Sequence, residues 1–303
     1  MSQQHQHDLR QAAAVKSSAT RRVTVWGLIV NVLLSIVKFV VGFVAHSQAL
    51  IADAVHSMSD SVTDLAVLIG AAYWSAPADE EHPHGHARIE TLVTAVIGIV
   101  LALVGLGLAY RAIVDIGNPD SPAPGWAAFW VAVVSIGVKE WLYRWNIIVG
   151  HRIRSTALVA NAWHHRSDGF SSIPVALAVL CQHLFPTLTM LDSVAAILVA
   201  ALVVRAAWKI FWPALVQLCD AGVTEERRQA IRKTALETPG VRGVHALRTR
   251  YIGPDLQIDL HVEVDPNLSV REGHDIARTV RNRLHEVYPD VVDVLIHIEP
   301  AEE

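Results

Sequence analysis

Residues 49–64, ALIADAVHSMSDSVTD, place ionisable side chains inside an apolar helical segment. At 100° per residue, Asp53, His56, Asp60 and Asp64 fall on one face of that helix. An ionisable side chain at membrane depth costs about 2.5–3.5 kcal/mol and usually marks an ion path. The stretch therefore predicts a membrane helix whose polar face takes part in transport.

A second stretch, residues 161–172, NAWHHRSDGFSS, repeats one element of this pattern. His164 and Asp168 have the same four-residue spacing as His56 and Asp60, which puts imidazole and carboxylate on one helix face. Two such helices facing each other supply two nitrogen and two oxygen ligands, a set suited to tetrahedral Zn²⁺. The alternative is a buried hydrogen-bonded network that only holds the helices together.

Polar neighbours of these pairs leave two interpretations open. Asp53 and Asp64 either line an access path to the metal or pair with Lys38. Asn161 shares the polar face of the second stretch, and His165 is an alternate ligand.

The composition indicates a membrane protein with a smaller soluble region. Of the 303 residues, 52% are hydrophobic and 18% charged, whereas soluble proteins carry about 25% charge. The net charge of −4 argues against a nucleic-acid-binding surface. Two cysteines exclude a disulfide scaffold, while 16 histidines are an excess of imidazole. The sequence has no nucleophile elbow, phosphate-binding loop or dinucleotide-binding glycine pattern, so we expect no enzyme.

Six segments meet or approach the length of about 20 apolar residues that a membrane helix needs. They are residues 23–45, 49–74, 89–110, 126–142, 155–184 and 191–211. The sequence thus predicts a six-helix transmembrane domain over residues 22–212, after a polar N-terminal tail over residues 1–21.

Basic residues indicate the orientation, because cytoplasmic loops carry an excess of Lys and Arg. Arg111 lies alone on one side of the predicted membrane. The tail and the loops of the other side carry Arg10, Lys16, Arg21, Arg22, Arg88, Lys139, Arg144, Arg152 and Arg154. Both termini are therefore expected in the cytoplasm.

Residues 213–303 predict a small cytoplasmic α+β domain with the order αββαβ. The expected elements are a helix over 224–238, strands over 241–251 and 255–264, a helix from 269 to about 288, and a strand over 291–298. Residues 255–264 alternate strictly between apolar and polar side chains, and Ser269 with Glu272 forms a capping-box signature.

The segment after the second span is rich in metal-binding side chains. His82, His84 and His86 lie beside Asp79 and two glutamates, a composition that suits a divalent cation. The alternative is a solvated polar loop.

Together these features resemble the cation diffusion facilitator family, over residues 22–300. The most specific parts are residues 52–60, 82–86 and 164–168 and the histidines of the terminal domain. The resemblance implies a homodimer in a lipid bilayer, with six helices per subunit and a cytoplasmic ferredoxin-like domain. It implies export of a divalent metal in exchange for protons, without an organic cofactor or a nucleic-acid partner.

The resemblance also implies three metal sites and a salt bridge. They are a transport site of His56, Asp60, His164 and Asp168, a loop site of Asp79, His82 and His86, and a paired-metal site of His245, His261, His274, His297 and Glu299. Arg88 and Asp220 stand where members have a salt bridge near the dimer interface, although Lys is common at the position of Arg88. For the terminal histidines the alternative is a set of surface side chains.

Some members have Asp in place of His56 and accept more metals, so the histidine favours zinc. We expect a Zn²⁺/H⁺ exporter in a bacterial inner membrane, with Zn²⁺ also bound as a regulator. Alternatives are Fe²⁺, Mn²⁺, Co²⁺ or Cd²⁺ as main substrate, or a membrane metal sensor that transports nothing.

Overall fold

The computed structural model describes residues 3–74, 76, 78–116, 122–153 and 155–301. Within these ranges, the side chains of residues 3–21, 63–64, 66–72 and 156–157 are not described. The chain divides into two compact units, one of Met1–Ala66 with Ile97–Trp208 and one of Val67–Val96 with Lys209–Glu303.

Each of the six predicted spans lies within one long helix, apart from single residues at the ends of two spans. The helices are α1 (Gln3–Val44), α2 (Gln48–Trp74), α3 (Ala87–Asp115), α4 (Trp126–Arg152), α5 (Thr156–Leu184) and α6 (Leu191–Leu218). Helix α1 begins at Gln3, so the polar residues 3–21, expected as a separate tail, continue the first helix.

Three of the described helices are long and apolar enough to cross a membrane by composition alone. They contain the spans Arg22–Val44, Ala87–Asp115 and Leu191–Leu218. Helices α2, α4 and α5 carry more polar and ionisable side chains, which lowers their hydropathy. These three helices supply His56, Asp60, Lys139 and Asp168, which are described below.

Small side chains form the core of the first unit. Alanine and valine predominate among its buried residues, which include Ala49, Ala52, Ala128, Ala132, Val175, Val179, Ala196 and Val199. Small residues let membrane helices approach closely. Many large apolar side chains point outward instead, with Phe43 71%, Leu103 64% and Ile148 66% exposed. An apolar outer surface of this kind fits a hydrocarbon environment.

The start of α2 is fixed by a carboxylate from α6. The Asp192 carboxylate accepts hydrogen bonds from the Ser47 hydroxyl at 2.6 Å and from the backbone N–H groups of Gln48 and Ala49. An acceptor at this position satisfies N–H groups that have no partner within the helix and interacts favourably with the helix dipole. His56 lies about two turns further along the same helix.

The second unit contains the predicted α+β elements in the expected order. They are α7 (Glu225–Leu236), β1 (Gly243–Ile252), β2 (Asp255–Val264), α8 (Val270–Val287) and β3 (Val291–Pro300). The described strands form one sheet of order β1-β2-β3, with β2 antiparallel to β1 and parallel to β3. Ser269 and Glu272 form the predicted capping box of α8.

Strand β2 is the centre of this sheet and its apolar face lies in the domain core. Leu256, Ile258, Leu260 and Val262 are at most 2% exposed and pack with buried residues of α7 and α8. The opposite face carries the polar residues of the strand, among them His261, in the alternation that the sequence predicts.

Candidate metal centres

One group of metal-ligating side chains lies in the helical unit. Ligand atoms of His56 and Asp60 on α2 and of Asp168 on α5 all lie within 4.8 Å of one another. We call these three residues the bundle cluster. His164, the fourth predicted ligand, has Nδ1 3.5 Å from Asp168 Oδ1, but its side chain is 52% exposed.

Two atoms of the bundle cluster have no hydrogen-bond partner among the residues that the structure describes. His56 Nδ1 and Asp60 Oδ2 are both buried and unsatisfied. A buried polar group left without a partner costs about 1–3 kcal/mol. These atoms therefore argue against a network that serves only to hold helices together, and they are placed as metal ligands would be.

Helix α4 brings a lysine to the same cluster. Lys139 is 1% exposed, and its Nζ lies 3.0 Å from Asp168 Oδ2. The expectation that Lys139 lies in a cytoplasmic loop is therefore wrong. Helix α4 does not end near Leu142 but continues to Arg152, and Asp168 neutralises the ammonium inside the bundle.

A second buried lysine forms a separate network between α1, α2 and α5. Lys38 Nζ lies 2.8 Å from Asp53 Oδ2, and both side chains are fully buried. The hydroxyls of Ser171 and Ser172 donate to the two Asp53 oxygens at 2.7 and 2.6 Å. Lys38 also donates to Ser57. Of the two interpretations of Asp53, the structure supports pairing with Lys38.

The remaining polar neighbours do not join the bundle cluster. His165 is 4% exposed, and its Nε2 lies 3.3 Å from Asn161 Nδ2, whose amide also donates to Asn146. Among the described residues, the bundle cluster therefore consists of His56, Asp60 and Asp168, without His165. The side chain of Asp64, the other open candidate, lies outside the described side chains.

A loop cluster of Asp79, His82 and His86 precedes α3. Asp79 Oδ1 lies 3.4 Å from His82 Nδ1, and Asp79 Oδ2 lies 3.4 Å from His86 Nε2. The backbone N–H of His82 donates to Asp79 and lowers the pKa of this carboxyl, with a further contribution from the two imidazoles. His86 is 7% exposed and its Nδ1 is unsatisfied. Burial of His86 makes the loop more than a solvated segment.

A sheet cluster of His245, His261 and Glu299 lies on the polar face of the terminal sheet. Its ligand atoms lie within 4.8 Å of one another. The register aligns His245 with His261 and His261 with His297 across the three strands. Glu299 accepts from His245 and His261, each at 2.8 Å, and lies 3.5 Å from His297 Nε2. Separate strands thus bring four of the predicted ligands together.

Hydrogen bonds lower the pKa of the carboxyl group in this cluster. Desolvation raises the pKa of Glu299, but the hydrogen bonds from His245 and His261 outweigh it, so that the pKa lies below its ordinary value. These hydrogen bonds therefore favour the carboxylate form of Glu299, which is the form that binds cations.

Two residues change the predicted composition of this site. His274 lies on α8 and lines a groove of about 560 Å³ with Arg278 and Arg281. Among the described residues it is not part of the sheet cluster. Glu263 was not predicted, yet its Oε1 lies 3.4 Å from His245 Nε2. Its position two residues after His261, on the same polar face of β2, is the signal that could have identified it.

The predicted salt-bridge residues contact each other within the second unit. The Arg88 guanidinium donates to the Asp220 carboxylate, and both side chains are about half exposed. Asp220 has a positive φ of 58° at the end of α6. The arginine therefore occupies the position of the expected lysine without loss of the contact.

Comparison with known sequences identifies the family. Residues 24–219 match the cation efflux transmembrane domain, and residues 223–301 match the cytoplasmic domain of cation efflux proteins. The chain belongs to the cation efflux family. The sequence resemblance to cation diffusion facilitators is thereby confirmed.

Similar proteins come from distant organisms. Metal tolerance protein C1 of Arabidopsis thaliana is 35% identical over 91% of this chain, which spans only 61% of the plant protein. An uncharacterized transporter of Methanocaldococcus jannaschii is 35% identical, with 89% of this chain and 94% of the relative covered. The manganese efflux system protein MneP of Bacillus subtilis is 30% identical, with 95% and 98% covered.

A solved structure of the MamM CTD in a nickel form is 30% identical and covers 26% of this chain and 100% of its own, with a TM-score of 0.26. The family assignment shows that this cation efflux protein is an integral membrane transporter of divalent metal cations rather than an enzyme.

Proposed function

We propose that this cation efflux protein exports Zn²⁺ from the cytoplasm in exchange for protons. The bundle cluster is the observation that supports the proposal. Two carboxylates and one imidazole converge inside a helical bundle, with a second imidazole, His164, beside Asp168. Such a four-ligand set of nitrogen and oxygen atoms suits tetrahedral Zn²⁺.

Manganese is the second candidate substrate, and a relative supports it. MneP, which is similar over nearly its whole length, is a manganese efflux protein by name. Mn²⁺ prefers oxygen ligands, whereas imidazole suits zinc. His56 and His164 therefore favour Zn²⁺ over Mn²⁺ in this chain.

Proton exchange follows from the chemistry of the ligands. Metal ions bind neutral imidazole, so metal binding competes with protons. Histidine changes charge between about pH 5 and pH 8, within the physiological range. A site that opens to the cytoplasm takes up Zn²⁺ and releases protons, and the reverse occurs when it opens outward. Rocking of the helices around the site provides alternating access.

We place six transmembrane helices, α1 to α6, in a bacterial inner membrane, with both termini in the cytoplasm. The basic residues support this orientation even without Lys139, because eight others remain on the cytoplasmic side against Arg111. The three helices of lower hydropathy can cross the membrane because Asp53 on α2, Lys139 on α4 and Asp168 on α5 are held in buried ion pairs.

The terminal domain regulates transport in this proposal. Two copies of the chain form a homodimer, and cytoplasmic Zn²⁺ binds the sheet cluster and stabilises the arrangement of domains that transports faster. The size of that shift is limited by the difference in metal affinity between the two arrangements.

Flux through purified protein in liposomes tests the proposal. Zn²⁺ uptake should depend on an imposed pH gradient and should stop when an ionophore collapses it. With Zn²⁺ and Mn²⁺ present together, Zn²⁺ should be transported preferentially. A preference for Mn²⁺ would reassign the substrate, and a complete absence of metal flux would favour a sensor.

A further inference from the structure

Lys139 has an unusual position for a residue of a cation-binding site. Its ammonium is buried in the helical unit and lies 3.0 Å from Asp168 Oδ2, a carboxylate of the bundle cluster. A buried charge is stable only when it is paired. The same carboxylate is therefore required by two cations, the lysine and the metal.

The other buried lysine, Lys38, shows that a lysine can be buried here without pairing with a carboxylate of the bundle cluster. Lys38 pairs with Asp53 and also donates to the hydroxyls of Ser57 and Ser172. None of these four residues is a ligand in the bundle cluster. Lys139 differs because its described partner carries the metal-binding function as well.

The charges of the site explain what Lys139 can do. With Asp60 and Asp168 ionised, a cluster without metal carries two negative charges, and Lys139 reduces this to one. A divalent metal that arrives while Lys139 stays on Asp168 leaves one net positive charge. Repulsion between metal and ammonium therefore weakens the binding of each to this carboxylate.

We propose that Lys139 is an internal competitor of the metal: it binds Asp168 when the metal leaves and is displaced when the metal returns. The inference rests on the proposed transport function of the bundle cluster. Lys139 is thus a positioning residue that weakens metal affinity and compensates Asp168 while the empty bundle reorients. Transport requires binding that is weak enough for release, so the competition favours turnover at the expense of affinity.

Two variants of opposite effect test this competition in the full-length protein. Lys139→Gln removes the charge, and we expect the Kd and KM for Zn²⁺ to fall about tenfold and kcat to fall several-fold. Lys139→Arg keeps a charge that forms two parallel hydrogen bonds with a carboxylate, so its Kd should be at or above the wild-type value. A residue with a purely structural role would weaken binding in both variants.

The measurements separate the possible failures. Titrations in detergent use a background of His82→Ala and His261→Ala, so that the bundle cluster dominates Zn²⁺ binding. Lys139→Met, which has an unbranched uncharged side chain, replaces the Gln variant if that protein is not monodisperse. Ser135→Ala, a buried site one turn away on α4, controls for altered packing and should leave Kd unchanged.

Unchanged or weaker Zn²⁺ binding in the uncharged variants would overturn the inference. If wild-type protein moves no metal in liposomes, the proposed function fails alone, because the Kd comparison is made at equilibrium and still decides whether Lys139 competes.

Discussion

The bundle cluster and the sheet cluster have similar ligands in opposite surroundings. In the bundle cluster Asp168 is 4% exposed, and His56 and Asp60 each have an unsatisfied buried atom. In the sheet cluster the side chains of His245 and Glu299 are 44% and 31% exposed and bond directly to each other. Without a bound cation the bundle cluster is therefore destabilised, whereas the free energy of the sheet cluster is almost unaffected.

This difference indicates two uses of one ligand chemistry. A site that is destabilised when empty is stabilised strongly by a cation, whether a metal ion, a proton or a lysine ammonium. Such a site can exchange one cation for another. A site that is stable when empty responds to the concentration of metal around it. This difference agrees with the proposed roles of the two clusters, transport in the bundle and sensing on the sheet, and the following variants test it.

The largest effect is expected for loss of a carboxylate in the bundle. Asp60→Asn should reduce Zn²⁺ flux in liposomes at least a hundredfold, since even residues that only orient a metal ligand are worth about 10–100-fold. Glu140→Gln, which removes a carboxylate that pairs with Arg144 on α4, is the control and should retain flux. Near-normal transport by Asp60→Asn would remove the bundle cluster from the mechanism.

A buried charge outside the cluster should affect stability instead. Lys38→Met leaves the buried Asp53 carboxyl without its ion-pair partner, and breaking a buried pair in this way destabilises a protein by about 3–5 kcal/mol. The thermal midpoint of the purified protein should fall strongly, whereas Lys233→Met, at a side chain 78% exposed, should not change it. A normal midpoint in Lys38→Met would show that the second buried pair is dispensable.

A change of ligand type should alter metal preference rather than abolish transport. His56→Asp replaces nitrogen by oxygen, and oxygen ligands favour Mn²⁺. In competition assays we expect the preference for Zn²⁺ over Mn²⁺ to decrease about tenfold. This corresponds to a change of about 1.4 kcal/mol in relative binding free energy. The same order of preference in wild type and variant would place selectivity outside this ligand.

Loss of the sheet cluster should change regulation only. The double variant His261→Ala, His297→Ala should bind less Zn²⁺ per chain and lose the compaction that we expect from small-angle scattering when metal is added. Flux should fall several-fold at high cytoplasmic Zn²⁺ and remain measurable, in contrast to Asp60→Asn. His285→Ala, a histidine of α8 outside the cluster, is the control. Complete loss of flux in the double variant would contradict the separation of the two clusters.

Local patterns predicted most of this fold, and the pairing of Lys139 with Asp168 between helices was the part they missed. The spacing of His56 and Asp60 and the alternation of β2 are periodic, so they can be inferred from one segment at a time. Lys139 was misplaced because a count of basic residues does not include a partner on another helix. A lysine within an apolar stretch is the available signal, since such a residue normally faces a partner inside the bundle.

The roles of Asp53 and Glu263 needed the three-dimensional arrangement for the same reason. Asp53 had two chemically reasonable partners, the metal and Lys38, and the packing of α1 against α2 and α5 decides between them. Glu263 joins the sheet cluster through the register between β1 and β2. Register and helix packing depend on contacts that are distant in sequence.

The smallest effect is expected at the cap of α8, and it tests whether stability of the terminal domain and metal sensing are separate. Ser269 and Glu272 bond to each other at the helix start, and Ser269→Ala should lower the unfolding free energy by about 1 kcal/mol without changing Zn²⁺ binding.

Hydrogen bonds from the Ser269 side chain and backbone lower the pKa of Glu272. The contribution of this cap is therefore present above the ordinary pKa of glutamate and is lost as the pH falls through the lowered value in the folded protein. The stability difference between wild type and Ser269→Ala should accordingly shrink in acid, as followed by chemical denaturation at several pH values. Thr279→Ala, which removes a hydroxyl in the middle of α8, should show no such pH dependence. Weaker Zn²⁺ binding in Ser269→Ala would mean that the sheet cluster depends on the stability of the domain around it. The two clusters would then differ in the rigidity of their surroundings rather than in their exposure to solvent.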